Sequence, residues 1–395
     1  MIISVVGPTW PYRGGISHYN TLLCEHLAKR HTVRLWGFRR QYPRWLFPGR
    51  DDRDPSRRPL QTASEPILDP LAPWSWVRTA RRILDAQSEL LILHWWVTFW
   101  GPPFATIAAR VRRRGIPVLY LCHNVLPHEQ KPWDRPLARL ALAQGDGYIA
   151  TSKGQEQRLA ELLPGARIYS GFHPTYAALA ELGPDRSRAE ACRHLGLDPD
   201  RPVALFFGFV RPYKGLRYLI EALPAVLEQV DLQTVVAGEF WEDKQAYLDL
   251  AARLGVDRAL TIVDRYVPNE ELGLYFGAAD VVVLPYLSVT QSGIAQLAYG
   301  FGKPVITTNV GDLPEVVQHG RTGLIVPPGD ASALSAALLQ FFALGADGGE
   351  GADGVRARMR DEVLAMRDRF SWARLEAIID QMVQDVQDAG AGRFG

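Results

Sequence analysis

Three glycine-bearing stretches of this 395-residue sequence carry side chains suited to holding an anion. The first follows the apolar run Ile2–Val6 and reads Gly7-Pro8-Thr9-Trp10-Pro11-Tyr12-Arg13-Gly14-Gly15-Ile16. A glycine pair opening a helix, Gly14 and Gly15, lets backbone N–H groups approach phosphate, which the helix dipole also favours. The same residues would equally make a tight strand-to-helix turn with no ligand. The GxGxxG and GxxxxGK[ST] patterns are absent, which disfavours a dehydrogenase or an ATPase. The second stretch, Gly208–Gly215, reads GFVRPYKG after an apolar run and sets Arg211 and Lys214 at a strand end. A planar fork beside a point charge suits a pyrophosphate, although two cations on a solvated loop are the plainer alternative. The third runs from Thr290 to Asp330, where Ser292-Gly293 opens a helix and Gly302-Lys303-Pro304 and Gly311-Asp312 turn the chain at strand ends.

Other features are less specific. His123, in Leu121-Cys122-His123-Asn124, lies at the end of an apolar run and should face whatever binds at the carboxyl edge of its sheet. The spacing of His123 and His128 matches no metal pattern, and His128 with Glu129 is either a pH-sensitive pair or a loop. Asp52-Arg53-Asp54 satisfies a literal DxD in a Pro/Arg-rich segment and reads as chance, so no metal is expected. Residues 34–58 interleave Arg39, Arg40, Arg44, Arg50, Arg53, Arg57 and Arg58 with Trp36, Phe38, Tyr42, Trp45 and Phe47. With the run Trp95-Trp96-Val97-Thr98-Phe99-Trp100, they suggest an apolar acceptor site or an anionic lipid surface. A covered hydrophobic loop is the alternative.

Along the chain, short β-branched runs alternate with longer amphipathic ones, the pattern of parallel sheets covered by helices. Expected strands are Ile2–Val6, Thr32–Trp36, Leu90–His94, Pro117–Leu121, Tyr148–Thr151 and Arg167–Ser170. The series restarts with Val203–Phe207, Gln233–Ala237, Leu260–Val263, Val281–Leu284, Val305–Thr307 and Gly323–Val326. This predicts two tandem Rossmann-like domains, 1–172 and 203–369, joined by a linker region 173–202 and followed by a terminal helix 370–388. Such sheets bind ligands at the carboxyl ends of their strands, so a site in a cleft between the halves is expected. Residues 346–354 read as a flexible loop and 389–395 as a disordered tail.

Length suits two cores, and three widely spaced cysteines fit buried thiols in a reducing compartment. Neither a signal peptide nor a membrane-spanning run is visible, so a cytoplasmic protein is expected. Charge is divided: 24 Lys and Arg against 13 Asp and Glu in residues 1–172, and 20 against 30 in the remainder. Either the first half meets an anionic partner or the halves attract one another.

Taken together, Gly14-Gly15, GFVRPYKG, GKPVITTNVGDLPEVV and Gly323–Asp330 resemble, in order and spacing, the retaining glycosyltransferases of the GT-B fold, family 4 (group 1). The resemblance covers essentially the whole chain and implies a metal-independent hexosyl transfer without a cofactor. It implies a UDP- or GDP-type nucleotide-sugar donor and an acceptor that is a glycan, a lipid-linked or a small molecule. It implies that Gly14 and Gly15 contact donor phosphate, that Arg211 and Lys214 neutralise the departing pyrophosphate, and that Tyr266-Val267 frames the nucleobase. His123 matches a histidine that contacts the donor sugar. The terminal helix would cross back to the first domain. The family's two glutamates, eight positions apart, are not found. The corresponding Gln291-Ser292-Gly293-Ile294-Ala295-Gln296-Leu297 offers Gln291, Ser292, Gly293 and Gln296 toward the donor, without charge. No nucleic acid is expected, while peripheral contact with the inner membrane face through the basic, aromatic first half is consistent with the charge pattern. A nucleotide-sugar epimerase on the same fold, or a non-catalytic nucleotide-sugar or lipid-binding protein, are the rival readings.

Overall fold

The computed structural model describes residues 1–43, 51–127, 130–184, 186–343 and 352–391. The chain forms two compact units, one of residues 1–54, 59–173 and 371–395, the other of 55–58 and 174–370.

The first unit is built on seven strands: β1 (Ile2–Val6), β2 (Thr32–Phe38), β3 (Ser64–Leu68), β4 (Leu90–Trp95), β5 (Val118–Cys122), β6 (Gly147–Ala150) and β7 (Ile168–Ser170). They lie in the order β3-β2-β1-β4-β5-β6-β7, and every recorded pairing is parallel. Such a sheet is buried on both faces, which is why β4 and β5 are apolar runs rather than alternating ones, with all their residues buried. The chain leaves β1 toward β2 on one side, while β4 continues to β5 on the other. Between β1 and β4 lies the switch point at which such sheets open a crevice. The helix Trp372–Ala391 belongs to this unit. It packs on the helix Gly15–Leu27 and is tied down by Arg30 to Asp380 (2.7 Å) and by the Tyr169 hydroxyl to Asp385 (2.5 Å).

The second unit carries β8 (Val203–Phe207), β9 (Gln233–Ala237), β10 (Leu260–Val263), β11 (Val281–Leu284), β12 (Val305–Thr308) and β13 (Gly323–Val326), in the order β10-β9-β8-β11-β12-β13. Its recorded pairings are also parallel, and its switch point falls between β8 and β11. Residues 174–202, read above as most of a linker, cluster with this unit and hold the helices Ala177–Ala180 and Arg188–His194. The first packs on the helix Gly293–Gly300, where a side chain on Gly300 would stand 2.8 Å from the Tyr176 backbone. The second opens with a capping box, Ser187 and Glu190, that satisfies two of its orphan N–H groups.

The histidine–glutamate pair expected at 128 and 129, most of the 346–354 loop and part of the basic-aromatic stretch 34–58 fall outside the described residues. The helix Ala352–Arg369 begins within that loop, and the last helix runs to Ala391, into the segment expected as a tail. Among the described residues no helix is long and apolar enough to cross a membrane.

Candidate functional site

In the second unit the switch point is shaped by two glycines with left-handed backbone. Gly208 (φ 99°) ends β8, and Gly215 (φ 68°) closes the loop so tightly that a Cβ there would lie 2.0 Å from the Pro285 carbonyl oxygen. That close approach folds Lys214 inward, leaving it 8% exposed with its ammonium 5.4 Å from the centre of the Tyr286 ring. The position of a Cβ on Gly208 would be 3.0 Å from Lys214 Nζ and 3.3 Å from Ile294. The ammonium therefore lies beside the first turn of the helix Gly293–Gly300. Burial, reinforced by the Arg211 charge, pushes Lys214 down to about 8. A buried cation with no acidic partner among the groups that shift it is in a state that an anion would relieve.

Arg211 is exposed beside this cation, its guanidinium 5.2 Å from the Tyr213 ring centre and 5.4 Å from that of Trp241. Phe209 packs on Trp241 (4.4 Å) and reaches Tyr266 (6.1 Å), so three aromatic residues from three different loops gather at one sheet edge. Tyr266 is half-buried and Val267 buried. The Trp241 Nε1–H donates to the buried carboxylate of Glu239 at 2.9 Å.

Across the switch point Ser292 caps the helix Gly293–Gly300, its hydroxyl accepting the Ala295 N–H at 3.3 Å. Gln291 and Gly293 are half-buried at the same turn. Gln296, 1% exposed, has no partner for either its oxygen or its nitrogen among the described residues. Buried amides are normally satisfied, so this one marks a place where a group is wanted.

In the first unit, Gly14 (φ 114°) precedes the helix Gly15–Leu27, which has no side-chain cap and no acidic residue in its first turn. Its N-terminus is thus left electropositive. The preceding loop is strapped by the DxD segment. Arg13 N–H donates to the Asp52 carbonyl, Asp54 N–H to the Pro11 carbonyl, and the Arg53 guanidinium lies 4.9 Å over Tyr12. The segment thus straps the loop through its backbone and Arg53, and among the described residues no cluster of three or more His, Cys, Asp or Glu could hold a metal ion.

His123 sits just past β5, 6% exposed, with Nε2 3.0 Å from Nδ1 of His94 at the end of β4. Tyr19 stands edge-on to both rings, and His173, just past β7, lies 6.5 Å from His123. Burial, with the neighbouring His94 and His173, holds His123 well below the ordinary histidine range, and burial alone takes His94 to about 3. Sequence reasoning missed His94, His173, Tyr19 and Trp241. The rule that sheet ligands gather at carboxyl ends of strands would have found His94 and His173.

The aromatic acceptor surface needs correcting. Trp36, Phe38, Trp95, Trp96 and Trp100 are core residues, none more than 8% exposed, and Trp96 donates its Nε1–H to the Tyr42 hydroxyl at 2.7 Å. Arg44, Trp45, Phe47 and Arg50 lie outside the described residues. Aromatic exposure in this unit falls elsewhere: Trp74 is 74%, Trp133 56% and Trp10 41% exposed, with Leu71 and Leu140 also open.

Comparison with known proteins agrees with this arrangement. Residues 201–343 match the family model of the glycosyl transferases group 1, and residues 14–168 that of a glycosyl transferase 4-like domain. A D-inositol 3-phosphate glycosyltransferase of Corynebacterium efficiens is 29% identical over 59% of this chain and 52% of its own length. The chain thus spans about half the length of that relative. A GDP-mannose-dependent alpha-(1-6)-phosphatidylinositol monomannoside mannosyltransferase of Mycolicibacterium smegmatis is 28% identical over 84% of this chain and 87% of its own. Anabaena HepE, solved in complex with UDP-glucose, superposes with a TM-score of 0.70 at 18% identity, covering 98% of this chain and 100% of that one, a likeness of fold.

Proposed function

The chain belongs to the group 1 glycosyl transferases of the GT-B fold, its first unit a glycosyl transferase 4-like domain, and from that premise we propose that it transfers a sugar from a nucleotide-sugar donor to an acceptor hydroxyl, retaining anomeric configuration, without a metal ion. The observation that carries the reading is the buried ammonium of Lys214 beside the opening of the helix Gly293–Gly300. A leaving diphosphate gathers charge as the glycosidic bond breaks, and preorganised cations and N–H groups stabilise that charge without reorganising. We assign this task, within the second unit, to Lys214, Arg211 and the backbone at Ser292-Gly293, and separately propose Gly14 and Gly15 of the first unit as phosphate-binding groups. Tyr266 and Val267 would frame the base, and Gln291 and Gln296 would meet sugar or ribose hydroxyls. In the transfer itself the bond from anomeric carbon to phosphate oxygen breaks and that from the same carbon to the acceptor oxygen forms on the same face. The acceptor proton passes to a phosphate oxygen of the donor.

The relatives named above, one GDP-mannose-dependent and one solved with UDP-glucose, support a GDP- or UDP-type donor. Their acceptors, by name an inositol phosphate and a phosphatidylinositol mannoside, support a phosphate-bearing or lipid-linked acceptor here. The outer helices Pro73–Asp85, Gly101–Arg112 and Asp134–Leu142 pack side by side and agree with that. They and their flanks expose Arg78, Arg81, Arg82, Arg110, Arg135 and Arg139 as well as Trp74 and Trp133, a composition suited to an anionic membrane surface.

A calorimetric screen against UDP-, GDP-, ADP- and TDP-sugars, with and without EDTA, tests the reading. One donor class should bind and release its nucleoside diphosphate in the presence of EDTA. Failure of every donor to bind would overturn it.

A further inference from the structure

Resting on the assignment of His123 to the site, we propose that His94 is its positioning residue. His94 donates its Nδ1–H to Nε2 of His123, holding His123 in the tautomer that carries a proton on Nδ1 and offers it at the carboxyl edge of β5.

The pair is held by backbone. The parallel register sets His94 opposite Leu121 and Trp95 opposite Cys122, and the His123 N–H donates to the Trp95 carbonyl at 2.8 Å. The two imidazoles lie nearly parallel, 17° apart. On its other side the His94 ring meets the end of β1. A Cβ on Gly7 would stand 3.0 Å from His94 Cδ2 and 2.8 Å from Asn20, whose amide donates to the Pro8 carbonyl. His94 is wholly buried and has no room to turn.

One proton lies between the two nitrogens, and two arrangements place it. If His94 accepted, its own proton would sit on Nε2, which is buried without a partner. An orphaned N–H donor in the interior is rarer and more costly than an unfilled lone pair. If His94 donates, Nε2 needs only to remain an empty acceptor. The proton of His123 is then on Nδ1, a nitrogen with no hydrogen bond among the described residues, on a ring that keeps some exposure.

The titratable groups around His123 are His94 from β4, His173 from beyond β7 and Tyr19 from the helix Gly15–Leu27, whose ring also meets Trp372 of the last helix. No carboxylate, lysine or arginine is among the groups that shift it. Burial keeps both imidazoles neutral through the physiological range, so His123 acts as a fixed donor and not as a base that titrates.

The test uses the full chain labelled with nitrogen-15 at histidine, with resonances of His123 identified by their loss in H123Q. In the unsubstituted protein, Nδ1 of His123 should show the shift of a protonated nitrogen and Nε2 that of a bare one, unchanged from pH 6 to pH 9. His94→Asn keeps an N–H where Nδ1 stood and should retain the tautomer, with kcat within about threefold. His94→Leu should release the tautomer and lower kcat by about tenfold or more, with the donor KM little changed. A proton on Nε2 of His123 in the unsubstituted protein overturns the proposal, as does His94→Leu with tautomer and kcat unaltered. Should His94→Leu not fold, the first spectrum and His94→Asn still decide. If the chain transfers no sugar at all, the functional reading fails while the spectra still report the tautomer.

Discussion

Lys214→Met separates what the buried lysine costs the fold from what it gives the reaction. Burial takes this ammonium from the ordinary 10.5 to about 8, so the charged form is disfavoured in the folded protein by roughly 3 kcal/mol. Between pH 8 and pH 10.5 the unfolded chain holds a proton that the folded chain lacks, so stability of the unsubstituted protein rises with pH through that window. Below pH 8 the cost is present in full. Methionine fills similar volume without charge, and after allowing for the lost contact with the Tyr286 ring the gain at pH 7 is about 2 kcal/mol. That corresponds to roughly 5 °C in the melting of a unit this size, shrinking to nothing by about pH 10.5. The same variant should lose about 100-fold or more in turnover, since the charge it lacks is the one aimed at the leaving diphosphate. Scanning fluorimetry from pH 7 to pH 10.5, beside a turnover assay with the nucleotide-sugar that the protein binds, measures both halves. A variant no more stable at pH 7, or a gain that persists at pH 10.5, would show that the ammonium is not strained by burial. Undiminished turnover would remove Lys214 from the reaction.

Two further substitutions follow the same logic of site against scaffold. Gln296→Leu replaces an amide that is buried without partners, so stability should hold or rise by about 1 kcal/mol while donor affinity drops severalfold in calorimetry. A loss of stability instead would mean that the amide is satisfied within the fold. Trp74→Ser combined with Trp133→Ser should leave melting unchanged, because both rings are exposed, and should reduce co-sedimentation with anionic phospholipid vesicles severalfold. Equal sedimentation of variant and parent would move any membrane contact to another surface.

The strands were legible because a parallel sheet buries both faces, and runs such as Val203–Phe207 and Gln233–Ala237 have no other use. β3, Ser64–Leu68, escaped: it is an edge strand, half-exposed, with a proline in its middle, which reads as loop. The helix Asp134–Leu142 escaped as well, because Pro136 in its first turn looks like a breaker, though proline is tolerated there. The helices at 177–180 and 188–194 are too short for periodicity, and only their packing on neighbouring helices places 174–202 in the second unit. The loops at Gly14 and at Gly208–Gly215 were visible as motifs, because positive φ at Gly14, Gly208 and Gly215 demands glycine whatever surrounds it.

The aromatic residues show where such reading stops. Trp95-Trp96 and Trp100 look from sequence like a sticky surface, since a tryptophan run carries no period that separates a core from an exposed patch. The structure seats Trp95 at the end of a central strand and Trp100 at the start of a helix, both fully buried. Trp74 opens one helix and Trp133 precedes another, and nothing in their sequence neighbourhood marks them, yet they are the most exposed tryptophans among the described residues. What decides exposure is which side of each residue its sheet and neighbouring helices cover, and that is settled by packing between segments far apart in sequence. The same reason hid His94. A lone histidine in an apolar strand looks like filler until the neighbouring strand is known, and the register of β4 on β5 turns it into the partner of His123.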